Sequence, residues 1–281
     1  MKKQFTAEEK KAYYAEQKKK IEQSLIDGVN FCFTEGNFKK YLDTLGKFHD
    51  YSIRNCMLIV SQCPEASFVA GYRDWQTKFN RHVKAGEKAI GIIAPISSGK
   101  FAVKDVDEDG NEIEKLIKFN RYRVVPVFDI SQTDGEELPT ICNELTDDVQ
   151  NFNEIRSSLE KVASVPVTYE DFDGDAHGYF SVKENKIVVK AGMPEAQTIK
   201  TLAHEIAHSI LHNDVFCEIP KAVKEVQAES VAYLVCKQLG IDTAQYSFEY
   251  VASWSKEDPK VLNNQMRIVR ETADAIIAKM S

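Results

Sequence analysis

His204, Glu205 and His208 form a cluster whose residue types and spacing imply a specific reaction. They sit in TIKTLAHEIAHSILH, where Ile199, Leu202, Ala203, Ile206, Ile210 and Leu211 recur at helical spacing and form an inward stripe. The two histidines lie off that stripe. Four residues of helix rise about 6 Å and complete slightly more than one turn, so both imidazoles leave the same face and can bind one zinc ion. Glu205 then reaches the water that zinc activates instead of the metal. Zinc brings the pKa of that water down toward ~7 and polarises a carbonyl, and a carboxylate beside it takes the proton and hands it on. HExxH is therefore read as the centre of a zinc hydrolase, with Glu205 as the catalytic base and Zn2+ as the cofactor.

A third ligand is required. His212 continues the i, i+4 series but lies about 12 Å along the helix axis from His204, too far to share the ion, and reads as a hydrogen-bonding histidine. The continuation HExxHxxGxxH is absent. The next helical stretch, KAVKEVQAESVAYLVC, offers Glu225 and Glu229 on one face, with Val223, Val226, Leu234 and Val235 marking a different side. Without histidines upstream, such a pair would be ordinary solvated surface. Here Glu225 is assigned as the metal ligand, and Glu229 as the acceptor of a hydrogen bond from a ligand histidine.

The elements that must position these groups are legible in outline. Proline-free, amphipathic residues 6–30 and residues 37–62 predict two helices, the second ended by Cys63-Pro64. From Ser67 onward glycines punctuate β-branched runs such as IGIIAP and YRVVPVFDI, with turns expected at Gly99-Lys100 and at DEDGNE, residues 107–112. A helix over 153–163, strands in VPVTYE and GYFSVKENKIVVK with a hairpin turn at Glu184-Asn185, and helices over 195–211, 220–239 and 260–279 complete the chain, with Pro220 in a helical first turn.

Charge is distributed unevenly. Residues 1–100 hold 17 Lys+Arg against 11 Asp+Glu, and the remainder 19 against 32, within a net charge of -7. A basic first half suits a polyanion and an acidic second half repels one. Tyr72 and Trp75, interleaved with Arg73, Lys78, Arg81, Lys84 and Lys88, suit a groove that stacks bases and neutralises phosphates, although aromatics are more often core. No GxxxxGK[ST] or GxGxxG is present, so Gly71 and Gly86 read as turn residues.

With 43% hydrophobic and 28% charged residues over 281 positions, the expectation is a chain of two ordinary domains. They are placed at 1–135 and 152–281, joined by a polar, acidic linker at 136–151. The longest apolar runs, 89–96 and 124–128, fall far short of the ~20 residues that cross a bilayer, and the lysine-rich start leads into more charge instead of an apolar segment. Six cysteines without a CxxC pair read as reduced. A cytoplasmic protein is expected, with no membrane partner.

These motifs resemble known families. HEIAH followed by Glu225-Val-Gln-Ala-Glu229-Ser-Val-Ala resembles the gluzincin-like arrangement of the ImmA/IrrE metallopeptidases, in which the first Glu of the second helix is the ligand. Glu229 stands where those proteins commonly have Asn and matches the Glu of ArdC-like ones. YSIRNCMLIVSQCP, FVAGYRDWQTKFNRHVKAGEKAIGIIAP and YRVVPVFDISQTDG resemble the ArdC-type N-terminal domain, except that Ala85 replaces a lysine in the Val-Lys-Lys-Gly-Glu-Lys turn and removes one positive charge. The chain thus resembles the ArdC/LtrC-like proteins of plasmids and conjugative elements over roughly residues 25–250. The resemblance implies an α+β chain with an N-terminal single-stranded-DNA-binding domain, a C-terminal zincin-like metallopeptidase domain and an antirestriction role.

Three functions stay open at this point. The first is a mobile-element protein that binds single-stranded DNA and carries a zinc hydrolase site. The second is an ImmA-type regulatory protease that cleaves a repressor or host protein, and the third a DNA-binding protein with a structural zinc. The sequence leaves the oligomeric state undetermined.

Overall fold

The structure, a computed structural model, describes residues 7–106, 112–138, 151–172, 176–214, 219–241 and 259–280. Helices and sheets are mixed along the chain, as an α+β protein requires. Contacts divide it into two compact units, residues 1–28 with 57–136 and residues 29–56 with 137–281. This differs from the expected domains 1–135 and 152–281, because residues 29–56 belong with the second unit. Of the expected linker, residues 139–150 lie outside the described residues.

The first unit takes its sheet from β1 (Val69–Gly71), β3 (Ile90–Val106) and β4 (Glu112–Asp129), in the antiparallel order β1-β4-β3. A smaller antiparallel pair joins β2 (Arg81–Val83) to β5 (Thr133–Gly135). Gly99 and Lys100, expected at a turn, run through β3 opposite Phe119 and Lys118. The expected turn at 107–112 lies, apart from Glu112, outside the described residues. Helix α1 (Ala7–Cys32) covers the first predicted helix, and α4 (Tyr72–Lys78) follows β1 directly. Alternation on β4 turns Val127 and Asp129 inward while Tyr122 and Val124 stay exposed. Asp129 then organises the end of the sheet. Its carboxylate accepts from the Ser67 and Phe68 amides at 2.8 and 3.0 Å, and from the Ser131 amide and hydroxyl at 3.0 and 2.6 Å.

The helix expected over 37–62 is two helices, α2 (Glu35–Lys47) and α3 (Ile53–Gln62). The physical reason lies far away in sequence. The Arg270 guanidinium donates to the carbonyls of Phe48 and Tyr51 at 2.9 and 2.8 Å, taking acceptors that a continuous helix would have used itself. Ser52 then accepts the Asn55 amide at 3.3 Å and starts the second helix. Phe38, Tyr41, Leu42 and Leu45 on α2 are fully buried at helical spacing. Asp43, on the same helix, receives Tyr233 Oη at 2.7 Å and Lys237 Nζ at 3.0 Å, which ties residues 29–56 into the second unit.

That unit also contains α5 (Phe152–Val162), β6 (Val167–Glu170), β7 (Gly178–Ser181), β8 (Lys186–Lys190), α6 (Glu195–Leu211), α7 (Lys221–Gln238) and α8 (Pro259–Met280). The sheet order is β6-β8-β7, parallel on one side of β8 and antiparallel on the other. Ile187, Val188 and Val189 make β8 a buried central strand. Asn185, with φ of 50°, takes the left-handed conformation in the turn between β7 and β8. Pro220, expected in the first turn of α7, sits one residue ahead of the helix as its cap. Ile199, Leu202, Ala203 and Ile206 bury the predicted stripe of α6, whereas Ile210, expected inward, is exposed near the helix end.

Candidate metal centre

The centre is built from two packed helices and an edge strand, α6, α7 and β7. Burying the apolar stripe of α6 leaves His204 and His208 one turn apart on another face. Their Nε2 atoms lie 3.0 Å apart. From α7, Glu225 Oε2 lies 3.5 Å from His204 Nε2 and 3.6 Å from His208 Nε2. Among the described residues these three form the group able to hold a metal ion. A point equidistant from the corners of this triangle is about 2.0 Å from each, the length of a bond from zinc to nitrogen or oxygen. The Glu225 side chain remains 38% exposed, so the cluster opens toward solvent.

The protons of His204 can be assigned by elimination. Its Nδ1 lies 3.0 Å from Glu229 Oε2, and an ionised carboxylate only accepts, so Nδ1 carries a hydrogen, and Nε2 offers its lone pair once the ring has given up its second proton. Glu229 is in turn held by Lys200 Nζ at 2.9 Å from its other oxygen. Burial opposes charge on His204, but its contacts with Glu225 and Glu229 outweigh that and raise its pKa to about 9. Those histidines hold the Glu225 carboxyl well below the usual carboxylate range. The cluster therefore attracts positive charge, which a proton or a metal cation can supply.

Glu205 is buried behind the pair, and burial pushes its pKa up while both histidines pull it back. A hydrogen bond from the Phe180 backbone on β7 also favours its ionised form. β7 approaches α6 this closely because residue 178 is glycine. A Cβ there would lie 2.7 Å from Thr201 Cγ2, 2.9 Å from the Val188 carbonyl oxygen and 3.5 Å from Glu205 Cγ.

His212 lies off the triangle. It caps α6 in a buried position, with Nδ1 2.9 Å from His208 Nδ1 and Nε2 2.9 Å from Gln227 Oε1. Burial lowers its pKa to about 4. Lys200, Gln227 and Gly178 were not among the candidates from sequence. Lys200 precedes His204 by four residues and Gln227 lies between the two glutamates, but neither carries a motif of its own.

The seven N-terminal candidates separate into two sets. Trp75 is fully buried, packs against Phe68 and Phe79 with ring centroids 5.5 and 5.2 Å away, and donates Nε1–H to the Phe128 carbonyl at 2.9 Å. It is core and cannot stack on a base, which corrects that expectation. Arg81 spends its guanidinium on Thr133 Oγ1 at 2.8 Å, the Thr133 carbonyl at 2.9 Å, and the carbonyls of Gly135 and Glu136. Lys84 donates to the Ser131 carbonyl at 3.0 Å, and Lys78 pairs with Asp74 at 3.2 Å. Tyr72, Arg73 and Lys88 are exposed. Tyr72 is 49% exposed beside Phe128, with ring centroids 6.3 Å apart, and Tyr122 is 51% exposed. Tyr122 was missed, although the alternation in YRVVPVFD puts it on the outer face of β4 with Val124.

Residues 4–128 match the N-terminal domain of anti-restriction factor ArdC. Residues 121–235 match the family "Putative metallopeptidase family (DUF6782)". An uncharacterized Bacillus anthracis protein, pXO2-81, is 27% identical over 98% of this chain. The alignment takes in 53% of that protein, so the chain spans about half the length of the curated relative it matches. Two crystal structures of the antirestriction ArdC protein from the R388 plasmid share the fold. The metal-free form has a TM-score of 0.55 and the Mn(II)-bound form 0.54, both at 20% identity and covering 82% of this chain and 85% of theirs. Among the described residues no helix is long and apolar enough to cross a membrane.

Proposed function

We propose that this ArdC-like chain is a metallopeptidase-type hydrolase that needs a divalent cation and is joined to a unit that binds single-stranded DNA, with an antirestriction role. The observation that carries the hydrolase reading is the triangle itself. Two imidazole nitrogens and a carboxylate oxygen converge within 3.0 to 3.6 Å, with Glu205 next to His204 in sequence and in space. Three protein ligands in an open cluster favour a catalytic over a structural ion, since structural zinc sites are closed by four.

His204, His208 and Glu225 would hold the cation, which supplies Lewis-acid polarisation of a carbonyl and a nucleophile at neutral pH. The donor set of two imidazoles and one carboxylate suits zinc; the R388 ArdC protein takes Mn(II), and metal analysis of the purified protein decides between them. Glu205 accepts the proton of the attacking water at its carboxylate and passes it to the leaving group. Glu229 orients His204 through Nδ1, and Lys200 fixes Glu229. Support for the DNA reading comes from the match to the ArdC N-terminal domain and from exposed Tyr72, Tyr122, Arg73 and Lys88, groups that stack on bases and neutralise phosphates without reading sequence.

The test is Glu205→Gln in cells, compared with wild type by proteomics of new protein termini. Wild type should generate termini that the variant does not, while the variant keeps its bound metal. Identical termini in both, or a wild-type protein unable to take up divalent metal, would remove the hydrolase reading. Antirestriction that survives Glu205→Gln would separate that phenotype from hydrolysis.

A further inference from the structure

Behind His208 runs a row of polar side chains that the proposed chemistry does not use. His208 Nδ1 is 2.9 Å from His212 Nδ1, and His212 Nε2 is 2.9 Å from Gln227 Oε1. Gln227, 2% exposed, donates its amide nitrogen to Gln265 Oε1 on α8. Each hydrogen in this row follows from the one before. The Gln227 amide spends a donor on Gln265, so its Oε1 is the acceptor that His212 meets, and His212 Nε2 carries a hydrogen. A neutral imidazole has only one N–H, so His212 Nδ1 accepts. The atom facing it, His208 Nδ1, must then donate. A neutral His208 protonated at Nδ1 keeps its lone pair on Nε2, the atom 3.0 Å from His204 Nε2 and 3.6 Å from Glu225 Oε2.

We propose that His212 and Gln227 are positioning residues, which hold His208 as the Nδ1–H tautomer with its Nε2 lone pair presented beside His204 and Glu225. The two histidines are thus set from behind by different means. His204 rests on a carboxylate, Glu229, whereas His208 rests on an uncharged relay anchored to a third helix. The distinction has a physical point. Glu205, Glu225 and Glu229 already place three acidic groups around the pair, and a neutral relay fixes the second ring without adding a fourth. The inference deepens the proposed metal site and rests on that reading for its role, though the tautomer itself is independent of it.

Long-range 1H–15N spectra of histidine-labelled, metal-free wild-type protein test the tautomer directly. His208 should show a protonated Nδ1 and an unprotonated Nε2, and His212 the reverse; a hydrogen on His208 Nε2 overturns the proposal. Two variants test the role through Zn2+ affinity, measured by competition with a chromophoric chelator. Gln227→Met keeps the shape but removes the acceptor, and should weaken Zn2+ binding about 10- to 100-fold. Gln227→Glu keeps an acceptor toward His212, lets the Gln265 amide turn and donate, and should bind Zn2+ more tightly than Gln227→Met although it adds a buried charge. A space-filling role predicts the opposite order, because Met fills the buried position and a carboxylate does not, so that order overturns the proposal. If wild type takes up no Zn2+ the metal reading fails by itself, and the spectra of the metal-free protein still decide the tautomer.

Discussion

Gly178→Ala places one methyl group where β7 meets α6, and its cost follows from what that methyl would touch. At 2.7 Å from Thr201 Cγ2 and 2.9 Å from the Val188 carbonyl oxygen, the new Cβ lies inside both contact distances. Reaching ordinary separation requires a displacement of about 0.5 to 0.7 Å, and neither neighbour yields cheaply in a close-packed interior. Thr201 is β-branched and buried on α6, and Val188 O is backbone in the central strand of the sheet. Overpacking of this kind costs about 1–3 kcal/mol, which lowers the melting temperature of a unit this size by about 2–12 °C. The displacement also moves Phe180, whose backbone bonds to Glu205, away from α6. Misplacement approaching 1 Å can cost on the order of 100-fold in rate. His204, His208 and Glu225 come from α6 and α7, so bound metal should be retained. Thermal melting, metal content and turnover of whatever substrate the terminus mapping reveals are the measurements. Thr201→Ser removes the methyl and keeps the hydroxyl, which receives Gln197 Nε2 at 3.1 Å, so the double variant should recover part of the lost stability. A Gly178→Ala protein that melts and turns over as wild type would refute the argument that glycine is required for the close approach of β7.

Glu229→Ala removes the acceptor behind His204 and should weaken metal binding about 10- to 100-fold, read by chelator competition; unchanged affinity would show that Glu229 does not support the site. In the first unit, burial acts to raise the Asp129 pKa, but its bonds from Ser131, Ser67 and Phe68 outweigh that and lower it. The stabilisation from Asp129 is therefore present above the unfolded carboxylate pKa of about 3.9 and is lost as pH falls through the lower folded value. Asp129→Asn should cost about 1.5–3 kcal/mol at neutral pH and flatten the acid limb of a denaturant-melting series, whereas an unchanged limb would contradict the assignment. Tyr72→Ala should weaken single-stranded-DNA binding by about 1–3 kcal/mol with little change in melting, while Trp75→Ala should cost about 3–5 kcal/mol of stability. A fluorescence-anisotropy titration in which Tyr72→Ala binds like wild type would remove Tyr72 from the DNA surface.

HExxH was legible because a helix converts a spacing of four residues into a shared face with no help from the rest of the fold, and the same periodicity marks α6 over Glu195–Leu211. The sequence likewise picked out Glu225 and Glu229 as one face of the following helix. It could not say which oxygen meets which nitrogen, since that depends on how α6 and α7 pack. Lys200, Gln227 and Gly178 were invisible for the same reason: each matters through a neighbour that only the packed unit supplies. Trp75 shows the converse. Its basic and aromatic setting suited a base-stacking groove, yet an indole surrounded by Phe68, Phe79 and the Phe128 carbonyl is worth more inside than out.

What the chain determined alone is what nearest neighbours along it decide: helix periods, strand alternation on β4, the left-handed turn at Asn185 and the paired imidazoles. The tertiary structure decided whatever couples residues on separate elements. Arg270 splits a predicted helix by taking the carbonyls of Phe48 and Tyr51, and so brings residues 29–56 into the second unit. His212 becomes a link between His208 and Gln227 because α7 passes alongside. Local pattern sets which face of an element is apolar, but the partner that each polar group finds depends on three-dimensional closure, and a buried donor or acceptor must find one.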